Sequence, residues 1–152
     1  MVMLNAGFLL LITTLMIALT SCGFHVPQQN TALNAIISAE NNNAFANALA
    51  KRFNKKASQS FIIEVGNEDQ KVHTASYDSN GQKSSYTLSV NVPIKVFNHN
   101  KQLLLSEQLT ASTHLNAAAT QAERLQTEQA SAQLRNAMIK RLLRRLHRLN
   151  EN

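Results

Sequence analysis

Residues 86–96 constrain the fold more than any other stretch, because apolar and polar side chains alternate along its whole length. A period of two places the apolar side chains on one face of a β-strand and the polar ones on the other. Such a strand belongs to a sheet that is covered on one side only. Pro93 lacks an N–H group and therefore predicts an edge position or a bulge. The apolar positions are Tyr86, Leu88, Val90, Val92, Ile94 and Val96.

Turn-forming residues bound this strand and predict antiparallel neighbours on both sides. Residues 78–81 include an Asn-Gly dipeptide, which accepts the positive φ angles of a tight hairpin. Residues 98–101 form a second turn, and residues 103–115 follow it as another strand. On the other side, residues 61–77 read as one long strand with a bulge or bend at 66–70.

Two helices and a short strand complete the pattern. Residues 33–38 have the length and apolarity of a strand. The asparagines at 41–43 can cap the N-terminus of a helix, which is predicted over 44–54. Basic residues collect at the C-terminal end of this helix, where the helix dipole favours positive charge. A long helix is predicted over 121–149. Its apolar positions are Leu134, Met138, Leu142, Leu146 and Leu149, widened by Leu125, Ile139 and Leu143.

This order of elements predicts a single α+β domain over residues 32–150. Two helices would pack on one face of a mostly antiparallel sheet of about four strands, an α/β sandwich, and bury the apolar face of each strand.

The N-terminus has the pattern of an exported lipoprotein. Residues 8–19 are mostly apolar, with the length of a signal-peptide core and too few residues to span a bilayer. Leu19-Thr20-Ser21-Cys22 then resembles the bacterial lipobox. This predicts that residues 1–21 are removed, that Cys22 receives a diacylglycerol and an N-acyl chain, and that residues 22–31 are the tether. Gly23, in place of Asp, implies export to the outer membrane. Residues 1–7 lack Lys and Arg, so a retained signal anchor is the alternative.

No pattern in the chain indicates catalysis. The single cysteine excludes an intramolecular disulfide and a multi-cysteine metal site. The five histidines lack metal-ligand spacing, and no nucleophile elbow, P-loop or dinucleotide fingerprint is present. Glu64 and Glu107 interrupt apolar strands and are predicted to lie on polar faces. We therefore expect no enzyme, no metal and no cofactor beyond the lipid on Cys22.

The charge balance favours an anionic partner. Fifteen Lys and Arg residues against nine acids give a formal net charge of +6. An aromatic content of 5% with no Trp argues against base stacking, so nucleic acid is not expected. The terminal helix is either a solvated basic face or a contact for phosphates of lipid or lipopolysaccharide. Its basic residues are Lys140, Arg141, Arg144, Arg145 and Arg148.

An ordered set of motifs resembles one known family. The set comprises Cys22-Gly23-Phe24-His25, Thr74-Ala75-Ser76 leading to Asn80-Gly81-Gln82, Tyr86 opening the long strand, and Leu142-Leu143-Arg144-Arg145-Leu146. The chain is similar in these features to LptE, the lipopolysaccharide-assembly lipoprotein family.

The resemblance implies a fold, a location and a role. The fold is the α/β sandwich described above, and the role is not enzymatic. The protein would be lipid-anchored at the cell outer membrane, facing the periplasm and the lumen of an LptD β-barrel. It would plug that barrel, help it to assemble and bind lipopolysaccharide on its way to the outer leaflet.

The resemblance also implies ligand contacts near the hairpin tip and the start of the terminal helix. In this chain they fall on Asn80, Gly81 and Gln82, on Lys83 just beyond the turn, and on Arg124. Ser79 stands before Asn80, where the family has a basic residue. The alternative function is another periplasm-facing lipoprotein, acting as a scaffold or an auxiliary component of an ABC-type transport system.

Overall fold

A computed structural model of the protein describes residues 32–40 and 43–151. In that part of the chain the fold class is the predicted one. The signal peptide, Cys22 and the tether lie outside the described residues and stay predictions. The elements are β1 (Asn34–Ala39), α1 (Ala44–Ala50), β2 (Gln59–Val65), β3 (Asp69–Tyr77), β4 (Lys83–Phe97), β5 (Leu103–Asn116) and α2 (Thr120–Glu151).

The alternating strand, β4, is the centre of the sheet. β5 pairs antiparallel with one edge of β4 over almost its whole length. The other edge is shared, because β3 pairs with the first half of β4 and β2 with residues 94–97. β1 adds to β2 in parallel. All six alternating apolar side chains of β4 are buried, which confirms the predicted one-sided burial.

A break at residues 66–68 divides the predicted long strand into β2 and β3, so the sheet has five strands rather than about four. The break lies opposite Pro93, whose carbonyl accepts a 2.9 Å hydrogen bond from the N–H of Gly66. The N and C=O of a strand residue point to the same edge, so the missing N–H of Pro93 also faces the break. Pro93 therefore occupies a central strand at a bulge, the second of the two predicted positions.

Gly66 packs tightly against the ring of Pro93. A Cβ atom added to Gly66 would lie 3.1 Å from Cγ and 3.2 Å from Cβ of Pro93. These contacts are too short for any larger residue without displacement of the proline ring. The bulge and the proline thus depend on each other.

Both helices pack on the face of the sheet that carries the apolar side chains. α1 contributes Phe45 and Leu49, and α2 contributes a stripe that runs along its length. The buried residues of α2 are Ala130, Ser131, Leu134, Met138, Ile139, Leu142 and Leu146. Leu143 and Leu149 are partly buried as predicted, but Leu125 is 55% exposed and does not belong to the core.

α1 begins where predicted and ends early. The Oδ1 atom of Asn43 accepts a 2.9 Å hydrogen bond from the N–H of Ala46, which confirms the N-cap. The helix ends at Ala50 rather than at residue 54. The N–H of Asn54 instead donates to the carbonyl of Leu33, and this contact turns the chain back to the start of β1. The basic residues after Ala50 are therefore in a loop and not in the last helical turn.

Candidate functional site

The predicted ligand contacts lie at one end of the molecule, which we call the hairpin end. It comprises the β3–β4 turn (residues 78–82), the first residues of β4 and the first two turns of α2. β4 and α2 run in the same direction from this end. Tyr86 fixes their relation, because its hydroxyl is 3.1 Å from Oγ1 of Thr127. Lys83 and Arg124 both precede these two residues by three positions, so both lie toward the hairpin end.

The β3–β4 turn is held by one carboxylate. Oδ1 of Asp78 accepts hydrogen bonds from the N–H groups of Asn80 and Gln82, at 2.9 and 2.8 Å. The N–H of Asp78 donates to the carbonyl of Gln82 at 2.8 Å, and Gly81 has a φ of 73°. The predicted turn is confirmed, with one difference: Gly81 alone has a positive φ, and Asn80 does not. The turn therefore presents the side chains of Asn80 and Gln82 from a fixed backbone.

Two exposed cations flank this turn. Nζ of Lys83 lies 5.8 Å from the centre of the Tyr86 ring, within range of a weak cation–π contact. Nε of Arg124 lies 3.3 Å from Oε1 of Glu128, and the Arg124 side chain is 81% exposed. An exposed ion pair of this kind contributes only about 0.3–0.5 kcal/mol. Either cation can therefore turn to an anionic ligand at little cost.

A part-buried ion pair, which the sequence did not predict, joins the β2–β3 break to α2. Nε of Arg135 donates to both oxygens of Glu68, at 3.0 and 2.7 Å, and Nη2 donates to Oε1 at 2.7 Å. Nε2 of Gln70 donates to the same carboxylate at 2.7 Å. No spacing in the sequence relates residues 67 positions apart, so only the fold reveals this pair.

The surroundings of Glu68 lower its pKa. Burial raises the pKa of Glu68, but the hydrogen bonds from Arg135 and Gln70 and the charge of Arg135 together outweigh it. The net pKa is below the ordinary value of 4.5. The hydrogen bonds to Glu68 raise the pKa of Arg135, against the opposing effect of burial. The pair is therefore fully ionised at neutral pH and acts as a structural clamp.

Of the two strand glutamates, one lies where predicted and the other does not. Glu64 is exposed on the open face. Glu107 shares the side of its partner Ile94, which faces the helices, and it forms an ion pair with Arg145 of α2. Its Oε1 atom is buried without a hydrogen-bond partner. The prediction for Glu107 was wrong because a helix cation reaches over the sheet edge to this position.

An open groove of about 770 Å³ lies toward the opposite end of the sheet from the hairpin. Its charged lining groups are Glu40, Glu64, Glu107 and Lys95, so three acids outnumber one base. This balance does not suit an anionic ligand. The candidate site is therefore defined by the predicted contacts at the hairpin end, where Lys83 and Arg124 lie together with the acids Asp78 and Glu123.

Residues 32–40 and 43–151 contain neither a metal site nor a membrane-spanning helix. No group of three or more His, Cys, Asp or Glu side chains in that part is arranged to hold a metal ion. None of the described helices combines the length and the apolarity needed to cross a membrane.

A family model supplies the deciding comparison. The model for LptE, described as lipopolysaccharide-assembly, matches residues 30–148 of this chain. The chain belongs to the LptE family. The matched region includes every described strand and nearly all of α2, so the hairpin end lies within it. No curated protein matches the chain.

Solved structures with the same fold come from distantly related bacterial lipoproteins. Rare lipoprotein B from Shewanella oneidensis has a TM-score of 0.64 at 13% identity, covering 76% of this chain and 94% of the other. Uncharacterized lipoprotein B from Nitrosomonas europaea has a TM-score of 0.60 at 14% identity, covering 78% and 84%. At these identities the likeness establishes the fold alone. It does not assign ligand contacts.

Proposed function

We propose that this LptE-family protein is an outer-membrane lipoprotein that plugs an LptD-type β-barrel, assists its assembly and binds lipopolysaccharide for delivery to the outer leaflet. It acts without catalysis. The observation that carries the proposal is the family match over residues 30–148, which includes the whole candidate site. Acyl chains on Cys22 hold the domain at the membrane, and two or more chains anchor stably where one does not.

The uncovered face of the sheet supports a place in a water-filled lumen. The polar side chains of β4 lie on that face and bond across to β5. Oγ1 of Thr110 donates to Oδ1 of Asn91 at 2.9 Å, and Oγ1 of Thr87 is 2.9 Å from Nδ1 of His114. A face built from such pairs remains solvated, as the interior of a large outer-membrane barrel is.

The hairpin end supports a contact with the phosphates of lipopolysaccharide. The Arg124 guanidinium can form paired hydrogen bonds with a phosphate, and Lys83 adds a point charge. Asn80 and Gln82 offer neutral donors on a turn whose backbone is already fixed by Asp78. A preorganised turn loses less conformational freedom on binding than a flexible loop.

Binding of lipopolysaccharide to the mature chain tests this site. The unacylated mature chain (residues 22–152 with Cys22→Ala) contains every described element and removes the lipid from the measurement. We expect the pair Lys83→Gln and Arg124→Gln to weaken binding by roughly tenfold or more at low ionic strength, through two lost charge-assisted contacts. The difference in affinity between the wild type and the variant should shrink as added salt screens the charges.

A charge-matched control keeps the test specific. Lys71→Gln with Lys140→Gln removes two exposed cations away from the hairpin end, and we expect less than about a twofold change. Unaltered affinity of the Lys83 and Arg124 variant at low ionic strength would remove these residues from the site.

A further inference from the structure

An exposed apolar row crosses the open face of the sheet at the end away from the hairpin, which we call the tether end. Strand register aligns Ile36 with Ile62, Ile62 with Phe97, and Phe97 with Leu103. The flanking residues of β1 and β2 pack into the core, so Ile36 and Ile62 point to the uncovered face. Ile36 is 52% exposed and Leu103 is 54% exposed. Ile62 and Phe97 between them are half-buried, so the exposed apolar area of the row lies mainly on Ile36 and Leu103.

Cations border this row at the end of the sheet, and Glu64 lies beside it on the open face, two positions after Ile62 and opposite Lys95. Exposed Lys55 and Lys56 lie in the loop that leads into β2, and exposed Lys101 lies in the β4–β5 turn (residues 98–102). Neither residues 51–58 nor residues 98–102 include an Asp or Glu. Arg144 and Arg148 in the last turns of α2 add positive charge at the same end, and Glu151 offsets one of these charges. The tether end thus combines apolar area with a positive rim.

The β4–β5 turn holds Lys101 in a left-handed backbone conformation. The β4–β5 turn repeats the hydrogen bonds of the β3–β4 turn, with Asn98 in the place of Asp78. In the first turn the left-handed position is Gly81, and in the second it is Lys101, with a φ of 60°. A non-glycine residue there stores backbone strain. Glycine would fit the turn better than lysine does.

We propose that the tether end docks on the surface of a phospholipid bilayer that carries anionic head groups. The inference rests on one part of the proposed function, the lipid on Cys22. The tether runs from Cys22 to Ala32, two positions before β1, and ten residues reach at most about 35 Å. The end of the domain where β1 begins is therefore the part that the anchor holds nearest to the membrane.

The two components of the surface match the two layers of a bilayer. Lysines are attracted by the negative potential of anionic head groups, and the attraction decays within a Debye length. Apolar side chains such as Ile36 and Leu103 gain by entering the boundary between head groups and acyl chains. Together they orient the domain, with the hairpin end directed away from the membrane surface.

Vesicle sedimentation tests the proposal on the unacylated mature chain. The vesicles contain phosphatidylcholine alone or a mixture with phosphatidylglycerol. We expect binding to the anionic vesicles only, falling as salt is added. Lys56→Gln with Lys101→Gly should weaken this binding about 25-fold, at about fivefold for each lysine. Lys71→Gln with Lys140→Gln removes the same charge elsewhere and should change binding less than about twofold.

The apolar row has its own matched pair of variants. Ile36→Ser with Leu103→Ser should weaken vesicle binding by about tenfold or more, since both side chains lose their burial in the bilayer. Val72→Ser with Leu125→Ser is the control, because those side chains are 51% and 55% exposed elsewhere on the domain. The proposal would be overturned if both pairs of variants lost vesicle binding equally. It would also be overturned if the wild-type chain bound vesicles of phosphatidylcholine alone as well as it bound the anionic vesicles.

Stability and ligand measurements separate the remaining outcomes. Lys101→Gly should leave the urea midpoint unchanged or raise it, so its weaker vesicle binding cannot come from unfolding. The vesicles contain neither lipopolysaccharide nor a barrel, so their failure leaves the proposed function standing. Tether-end variants that bind vesicles normally but lose a barrel partner would show that the barrel, and not the bilayer, covers this surface.

Discussion

At the scale of single residues, the Glu68–Arg135 pair joins the break between β2 and β3 to the middle of α2. The side chains of Glu68 and Arg135 are 11% and 19% exposed, so solvent screens their interaction only partly. Breaking such a pair leaves a partly buried charge without its partner. The pair therefore locks the bulge that Pro93 and Gly66 impose on the sheet.

We expect Glu68→Gln to lower the free energy of unfolding by about 1–3 kcal/mol at neutral pH. The pKa of Glu68 is lower in the folded than in the unfolded chain, so its contribution is complete above about pH 4.5. The contribution is lost as the pH falls through the lowered pKa of the folded state. The unfolding free energies of the wild type and the variant, measured with urea, should therefore converge as the pH falls below the lowered pKa of Glu68.

The exposed pair of Arg124 and Glu128 supplies the control for this measurement. Glu128→Gln should cost no more than about 0.5 kcal/mol, because both side chains are mostly in water. A loss for Glu128→Gln equal to that for Glu68→Gln would contradict the assignment of Glu68–Arg135 as the clamp.

Cys22 is the residue on which the proposed anchoring depends. In cells given radiolabelled palmitate, the wild-type protein should be labelled and the full-length Cys22→Ala variant should not. Membrane association of the variant should then depend on its partner and on any uncleaved leader. Unchanged labelling of Cys22→Ala would contradict the lipobox interpretation.

At the scale of elements, the sequence predicted correctly the strands and turns that depend on neighbouring residues alone. Alternation located β4 and its buried face, and the Asp78–Gly81 signal located the β3–β4 turn. The misses involve contacts between distant positions. α1 ends early because Asn54 bonds to Leu33, and the predicted long strand divides where Gly66 meets Pro93. For the site, Lys83 and Arg124 could be named from the resemblance, but their common end follows only from the Tyr86–Thr127 contact.

The stripe of α2 allows a direct test of which leucines form the core. Leu142 is fully buried, so we expect Leu142→Ala to cost about 2–5 kcal/mol through lost burial and a cavity. Leu125 falls on the same predicted stripe but is exposed, so Leu125→Ala should change stability by no more than about 0.5 kcal/mol. Urea unfolding of the two variants measures the difference. Similar losses at both positions would mean that the first turns of α2 pack on the sheet.

At the scale of the whole molecule, the two ends of the sheet differ in what they can bind. The hairpin end offers a fixed polar turn with Lys83 and Arg124. The tether end offers an apolar row with a lysine rim beside the start of β1. A domain held at the membrane by Cys22 and contacting lipopolysaccharide at its far end would span from the bilayer into a barrel lumen. The solvated face of β4 and β5 suits that interior.

Affinity purification of the full-length, acylated protein from cell envelopes in mild detergent tests the central claim most directly. We predict a stable complex with one large outer-membrane β-barrel, in equal stoichiometry, that persists at high salt. Recovery of the protein as a monomer, together with normal surface lipopolysaccharide after its depletion, would contradict the account.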